Sequence, residues 1–172
     1  MIHVVLYQPE IPQNTGNIMR TCAATGTKLH LIEPLGFSLD EKQVRRSGAN
    51  YVAFTDYTIY PTFDAFKEAN PKGVKVFFTR YATQSPSDLS YTNVDEDYYF
   101  IFGSESSGIP KEILQTSLET CVRFPMKDVV RSLNLSNTVA MAVYEGLRQQ
   151  GYPGLLPHEP DTLKGKDYLT RK

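Results

Sequence analysis

An α/β fold, with a mostly parallel sheet covered by helices on both faces, follows from three features of this chain. Apolar strand-like runs alternate with helix-like segments along its length, the order that builds parallel sheets. The runs are short and rich in Val, Ile, Phe and Tyr, as strands of such sheets are. Several are followed by a polar turn and then a helix, where an open parallel sheet places its ligands.

Taken in order, strands are expected at 2–7, 29–32, 51–55, 74–79, 98–102 and 120–124. Helices are expected near 15–24, 41–47, 62–69 and 111–117, with a last one at about 136–149. The opening residues lack a basic leader and a small-residue cleavage site, so they read as a first strand. Residues 82–96 are rich in Ser, Thr and Asp with one Pro, and read as an exposed loop. On the last helix, Val139, Ala140, Val143 and Leu147 share one stripe beside the small residues Ala142 and Gly146. That stripe suits core packing first and a dimer face second. One domain over 1–153 is expected, and a polar tail over 154–172 that crosses a partner surface or frays.

The 172 residues are 41% hydrophobic, enough for a packed core, which sets aside a disordered chain. No apolar stretch approaches about 20 residues, so no membrane span is expected. Cys22 and Cys121 stand far apart, and His3, His30 and His158 form no ligand spacing, so neither disulfide nor metal is expected. A cytoplasmic protein follows. The formal net charge of -1 means that any nucleic-acid binding must rest on local patches. Lys42, Arg45 and Arg46 make the best one, although the pattern alone reads as a solvated helix face.

Three polar turns carry the candidate chemistry. The first runs through Glu10-Ile11-Pro12-Gln13-Asn14-Thr15-Gly16-Asn17 to Arg20. The second is Phe102-Gly103-Ser104-Glu105-Ser106-Ser107-Gly108-Ile109-Pro110, and the third is Arg131-Ser132-Leu133-Asn134-Leu135-Ser136-Asn137. Alternation in the third turns Leu133 and Leu135 one way and Ser132, Asn134 and Ser136 the other. Asn14 reads as an N-cap. Arg20 near a helix start gains nothing from the dipole, which favours anions there. It therefore either pairs with an acid such as Glu105 or receives a phosphate or a developing negative charge. Tyr144 suits the core or a site equally.

Familiar alternatives fail. Gly103 and Gly108 have the spacing of a phosphate loop, but Ile109-Pro110 replaces its Lys-Ser/Thr. The first strand leads into Tyr7-Gln8-Pro9-Glu10, without the glycines of a dinucleotide fold. No Ser/His/Asp set is arranged for acyl transfer; His3 and His30 sit in strands and read as core or sheet-surface residues.

The three turns in this order resemble the SPOUT class of RNA methyltransferases, and most closely the bacterial tRNA 2′-O-methyltransferases of the wobble cytidine or uridine. The resemblance runs from Ile2 to about Pro153. It implies a C-terminal trefoil knot, which topology rules would not propose, a homodimer, and S-adenosyl-L-methionine bound in the knot. By position it implies cofactor contacts at Phe78, Thr79, Gly103, Phe124, Ser132 and Leu133. It implies activity residues at Asn14, Arg20, Glu105, Ser132 and Asn134, with Tyr144 matching a tyrosine of the wobble-type members. Arg45, Arg46 and Arg131 are then taken as RNA contacts, with Lys164, Lys166, Arg171 and Lys172 of the tail as further cations. An rRNA methyltransferase of the same class, or a non-catalytic RNA-binding or dimerisation module, remains an alternative.

Overall fold

A computed structural model of the chain describes residues 1–39 and 51–171. The helix expected at 41–47, with Lys42, Arg45 and Arg46, lies outside the described residues, as does Lys172.

In chain order the elements are β1 (Ile2–Tyr7), α1 (Pro12–Thr25), β2 (Lys28–Ile32), a 3-10 turn (Val52–Phe54), β3 (Tyr57–Tyr60), α2 (Phe63–Ala69), β4 (Val74–Phe78) and a 3-10 turn (Pro86–Asp88). There follow β5 (Tyr98–Phe102), α3 (Lys111–Leu114), a 3-10 turn (Leu118–Thr120), β6 (Cys121–Val122) and α4 (Leu135–Gln149). The strands form one six-stranded sheet in the order β3-β2-β1-β5-β4-β6, parallel throughout.

Pleating sorts the strand side chains into two cores. Ile2, Val4 and Leu6 of β1, with Tyr98, Phe100 and Phe102 of β5 and Val76 and Phe78 of β4, join Ile18, Met19 and Cys22 of α1 and Val139, Ala142 and Val143 of α4. Val5, Phe77, Tyr99 and Ile101 point the other way, onto Phe66 of α2 and Leu114 of α3. Both faces are therefore covered, as expected for a parallel sheet. The small stripe of α4 resolves as core packing: a Cβ on Gly146 would run into Ile2 and Phe100. Cys22 and Cys121 are free and buried, and burial pushes the Cys22 thiol up to about 12.

Two local expectations change. The strand expected at 51–55 is instead a 3-10 turn, and the sheet is continued by β3 at Tyr57–Tyr60. Two β-rich runs compete there. Thr55 turns its hydroxyl to the carbonyls of Tyr51 (2.8 Å) and Met19 (3.1 Å), fixing a turn against α1. The ladder to β2 then falls to the second run. Asn14, expected as an N-cap, lies inside α1; the cap position is Ile11, with Pro12 opening the helix.

His3 and His30 form part of a largely buried polar chain. His3 Nε2 donates to Asp97 (3.2 Å), His30 Nε2 donates to His3 Nδ1 (3.0 Å), and the Tyr60 hydroxyl donates to His30 Nδ1 (3.0 Å). This direction is fixed from the carboxylate, which only accepts, and it assigns both rings as neutral Nε2–H tautomers. Burial lowers both histidines, His30 to about 3.

Among the described residues no helix is long and apolar enough to cross a membrane. At the C-terminus Leu155 packs on the core, while hydrogen bonds among residues 160–171 close within that stretch.

Candidate functional site

From β1 the chain builds outward to β2 and β3; β5, β4 and β6 lie on the other side. The loops after β1 and β5 thus leave neighbouring strands at a point where the order reverses, which is where open parallel sheets hold ligands. A cleft of about 610 Å³ opens there, along the carboxyl ends of β1, β5, β4 and β6. Phe78, Thr79, Gly103, Phe124, Ser132 and Leu133 all line it, as do Asn14, Glu105, Arg131 and Asn134.

A hydrogen-bond network fastens the three polar turns to one another. Glu105 Oε2 accepts from the Glu10 amide (2.8 Å), and Oε1 accepts from the Ile11 amide and from Asn14 Nδ2 (both 3.1 Å). Asn14 Oδ1 accepts from Asn134 Nδ2 (3.1 Å). Asn134 Oδ1 in turn accepts from Ser136 Oγ (2.7 Å) and the Asn137 amide (3.2 Å), capping α4. The first and second turns are tied reciprocally: Glu10 accepts from the Ser106 amide (3.0 Å) and Ser106 Oγ (2.6 Å). Charge-assisted bonds of this kind are stronger than neutral ones. Two loops that begin about 90 residues apart in sequence are thereby held as one surface.

The second turn also closes on itself. Ser104 and Gly108 form an isolated bridge, and Ser104 Oγ pairs with Ser107 Oγ at 2.7 Å. A Cβ on Gly103 would meet the backbone of Gly108 and Ile109, so only glycine fits the strand end. Gly108 itself has φ +70°, the left-handed region.

Two candidates lie elsewhere. Arg20 is exposed on α1, its guanidinium 5.4 Å from the centre of the Tyr51 ring, and does not line the cleft of its own chain. Of the two alternatives for Arg20, the pair with Glu105 is absent: Glu105 directs both oxygens to backbone amides and Asn14. Tyr144 is neither core nor cleft: it is 47% exposed on α4, beside Tyr152. Arg45 and Arg46 fall outside the described residues. Sequence reasoning gave no role to Glu10 and Ser106, although both stand within the two turns already singled out. It also missed Arg80 and Arg123, which line the cleft next to the expected Thr79 and Phe124.

The cleft walls combine aromatic and aliphatic groups, Phe78, Phe124, Leu133 and Ile109, with backbone and hydroxyl groups of Gly103, Thr79 and Ser132. That mixture fits an organic ligand of nucleoside size. No group of three or more His, Cys, Asp or Glu side chains that could hold a metal occurs among the described residues.

Comparison with known proteins gives this geometry a family. A protein of Bacillus subtilis (strain 168), provisionally named a tRNA (cytidine(34)-2′-O)-methyltransferase, is 53% identical over 154 residues, covering 90% of this chain and 96% of its own. The tRNA (cytidine(34)-2′-O)-methyltransferase of Escherichia coli (strain K12) is 47% identical over 156 residues, covering 90% and 97%. A solved structure described for the 2-OH methylation of C/U34 on tRNA superposes with a TM-score of 0.80 at 41% identity, covering 88% and 97%. The model of the SpoU rRNA Methylase family matches residues 1–144. With its three polar turns knitted at the ends of a parallel sheet, the chain belongs to the SpoU methylase family.

Proposed function

We propose that this protein transfers a methyl group from S-adenosyl-L-methionine to the ribose 2′-hydroxyl of the wobble cytidine or uridine, position 34, of tRNA. The observation that carries the reading is the network through Glu105, Asn14 and Asn134, which sets polar groups from three turns on one cleft. The names of the relatives supply the substrate.

Phe78, Thr79, Gly103, Phe124, Ser132 and Leu133 would hold the donor, whose sulfonium supplies an electrophilic methyl. Displacement at that methyl by O2′ would release the thioether, and the hydroxyl proton would pass to water or a site group. The chain must therefore position the ribose and favour its oxyanion. A guanidinium, which keeps its proton to about pH 12 and beyond, suits the second task, and Arg20 has no carboxylate partner among the described residues. In this reading Arg20 stays charged, orients the adjacent phosphate and stabilises the forming oxyanion. Asn14 and Asn134 fix the geometry, and Glu105 holds the turns that carry them. Arg131, Arg45 and Arg46 contact the RNA backbone.

A homodimer belongs to the same reading. Ile11, Leu133, Met141 and Tyr144 leave exposed apolar or aromatic surface where α1 and α4 begin and along α4. Burying it would bring the Arg20 and Tyr144 of one copy towards another. A knot in the C-terminal part is supported by the path of the chain. It leaves the sheet edge at β6, yet must return past the ends of β4 and β5 for Asn134 to reach Asn14. A domain over 1–153, a tail over 154–172 that adds cations, and a cytoplasmic place of action complete it.

The test is methyl transfer from labelled donor into total tRNA, followed by nucleoside mass spectrometry. Label in 2′-O-methylated cytidine or uridine at position 34 is expected. Label in rRNA alone would select the rRNA reading, and label in neither would leave a binding module.

A further inference from the structure

Among the described residues, Arg123 is the one cation of the cleft with a guanidinium nitrogen sealed from solvent and unpartnered. Its Nε is buried and meets no hydrogen-bond acceptor among the described residues. Its amide is accounted for, donating to the Gln84 carbonyl at 2.9 Å. No carboxylate pairs with its side chain among the described residues. The other cleft groups are differently placed. Arg80 Nη2 donates to the Tyr81 hydroxyl at 2.7 Å, Arg131 is exposed, and Glu105 has both oxygens engaged.

Location sharpens the point. The Thr79 amide donates to the Val122 carbonyl at 3.0 Å, so the ends of β4 and β6 run together, and Arg80 and Arg123 directly follow those two residues. Among the described residues, this end of the cleft holds cations without an acid. The opposite end, at Asn14, Glu105 and Asn134, is closed by its own network. A buried N–H without an acceptor is costly, and a guanidinium edge fits a planar pair of oxygens.

We propose that Arg123 is a ligand-binding residue that receives an oxyanion at the β4/β6 end of the cleft. The proposal rests on the methyl-donor reading above. The α-carboxylate of the donor's amino acid is the nearest candidate, because Thr79 and Phe124 flank Arg123 in the donor's proposed wall. A phosphate of the RNA offers the same chemistry.

Calorimetry on the intact protein separates these sources. S-adenosylhomocysteine carries the carboxylate, whereas methylthioadenosine keeps the nucleoside and thioether without it. Arg123→Gln should weaken S-adenosylhomocysteine by about tenfold or more, the scale of a charged hydrogen bond, and leave methylthioadenosine within about twofold. Retained methylthioadenosine binding also shows that the variant folds. Arg123→Lys should recover only part of the loss, since it keeps charge but not the planar edge. If instead S-adenosylhomocysteine is unaffected while tRNA affinity falls and its salt slope drops by about one, the oxyanion is a phosphate. If no ligand changes, or both small molecules weaken equally, the subsite is refuted. If the unaltered protein binds neither small molecule, the donor reading itself fails, and the tRNA arm alone decides Arg123.

Discussion

Asn14 commits both ends of its amide, donating to Glu105 and accepting from Asn134. Asn14→Asp keeps the shape but sets a second carboxylate about 3.1 Å from Glu105 in place of a donor. Like charges at that range disfavour joint ionisation. The variant should lose about 2 kcal/mol at pH 8, the scale of a broken buried hydrogen bond, and recover part of it by pH 5 as one carboxyl takes up a proton. Urea unfolding at the two pH values checks this, and an unchanged deficit would remove Glu105 as the partner. The buried histidines, like a paired carboxylate, favour the fold at higher pH. Burial holds His3 and His30 below the ordinary 6.5, so below that value the unfolded chain binds more protons than the folded one. Their contribution is full above about 6.5 and is lost as pH falls towards the folded value, about 3 for His30. His30→Phe should flatten the decline in unfolding free energy between pH 6.5 and 4. An unaltered slope would show that the pair is not its source.

At the scale of elements, sequence patterning fares best where burial is complete. The apolar runs of β1, β4 and β5 and the apolar stripe of α4 were legible because both faces of each strand, and one face of the helix, must leave water. The stretch at 51–60 was not, because two runs of equal β character compete and only the register with β2 chooses between them. Asn14 misled for a related reason: a residue ideal for capping is drawn into α1 by partners that lie 91 and 120 positions away. Polar turns announced that chemistry sat there, but which side chains would meet depended on tertiary contacts, as Glu10 with Ser106 shows. The second turn makes its own prediction. Gly103→Ala places a methyl against the backbone of Gly108 and Ile109, which no rotamer can relieve. The loop must shift, at a cost of about 1–3 kcal/mol, and donor affinity should fall with it. Gly151→Ala, whose Cβ would meet nothing within 4 Å, is strained only by its φ of +74° and should leave donor affinity unchanged. Thermal unfolding with calorimetry separates the two, and unimpaired donor binding by Gly103→Ala would show that this turn does not shape the pocket.

For the whole molecule the consequential fact is a separation. Asn14, Glu105 and Asn134 line the cleft, while Arg20 and Tyr144 lie outside it on exposed parts of α1 and α4. A single chain therefore does not gather all the groups that the proposed reaction uses. Two-fold pairing through α1 and α4 would resolve this if each copy lends Arg20 to the other's cleft, and mixed dimers can tell that arrangement from action within one chain. Arg20→Ala and Asn134→Ala should each be inactive alone. Co-expressed in equal amounts, subunits that pair in this way would form mixed pairs in about half of the dimers. In a mixed pair, the subunit lacking Arg20 keeps an intact Asn134 and receives Arg20 from its partner, so one cleft is whole. Activity should return to roughly a quarter of the unaltered level by that count. If Arg20 serves its own chain, every cleft in the mixture lacks one of the two groups and no activity returns, because the defects then never separate.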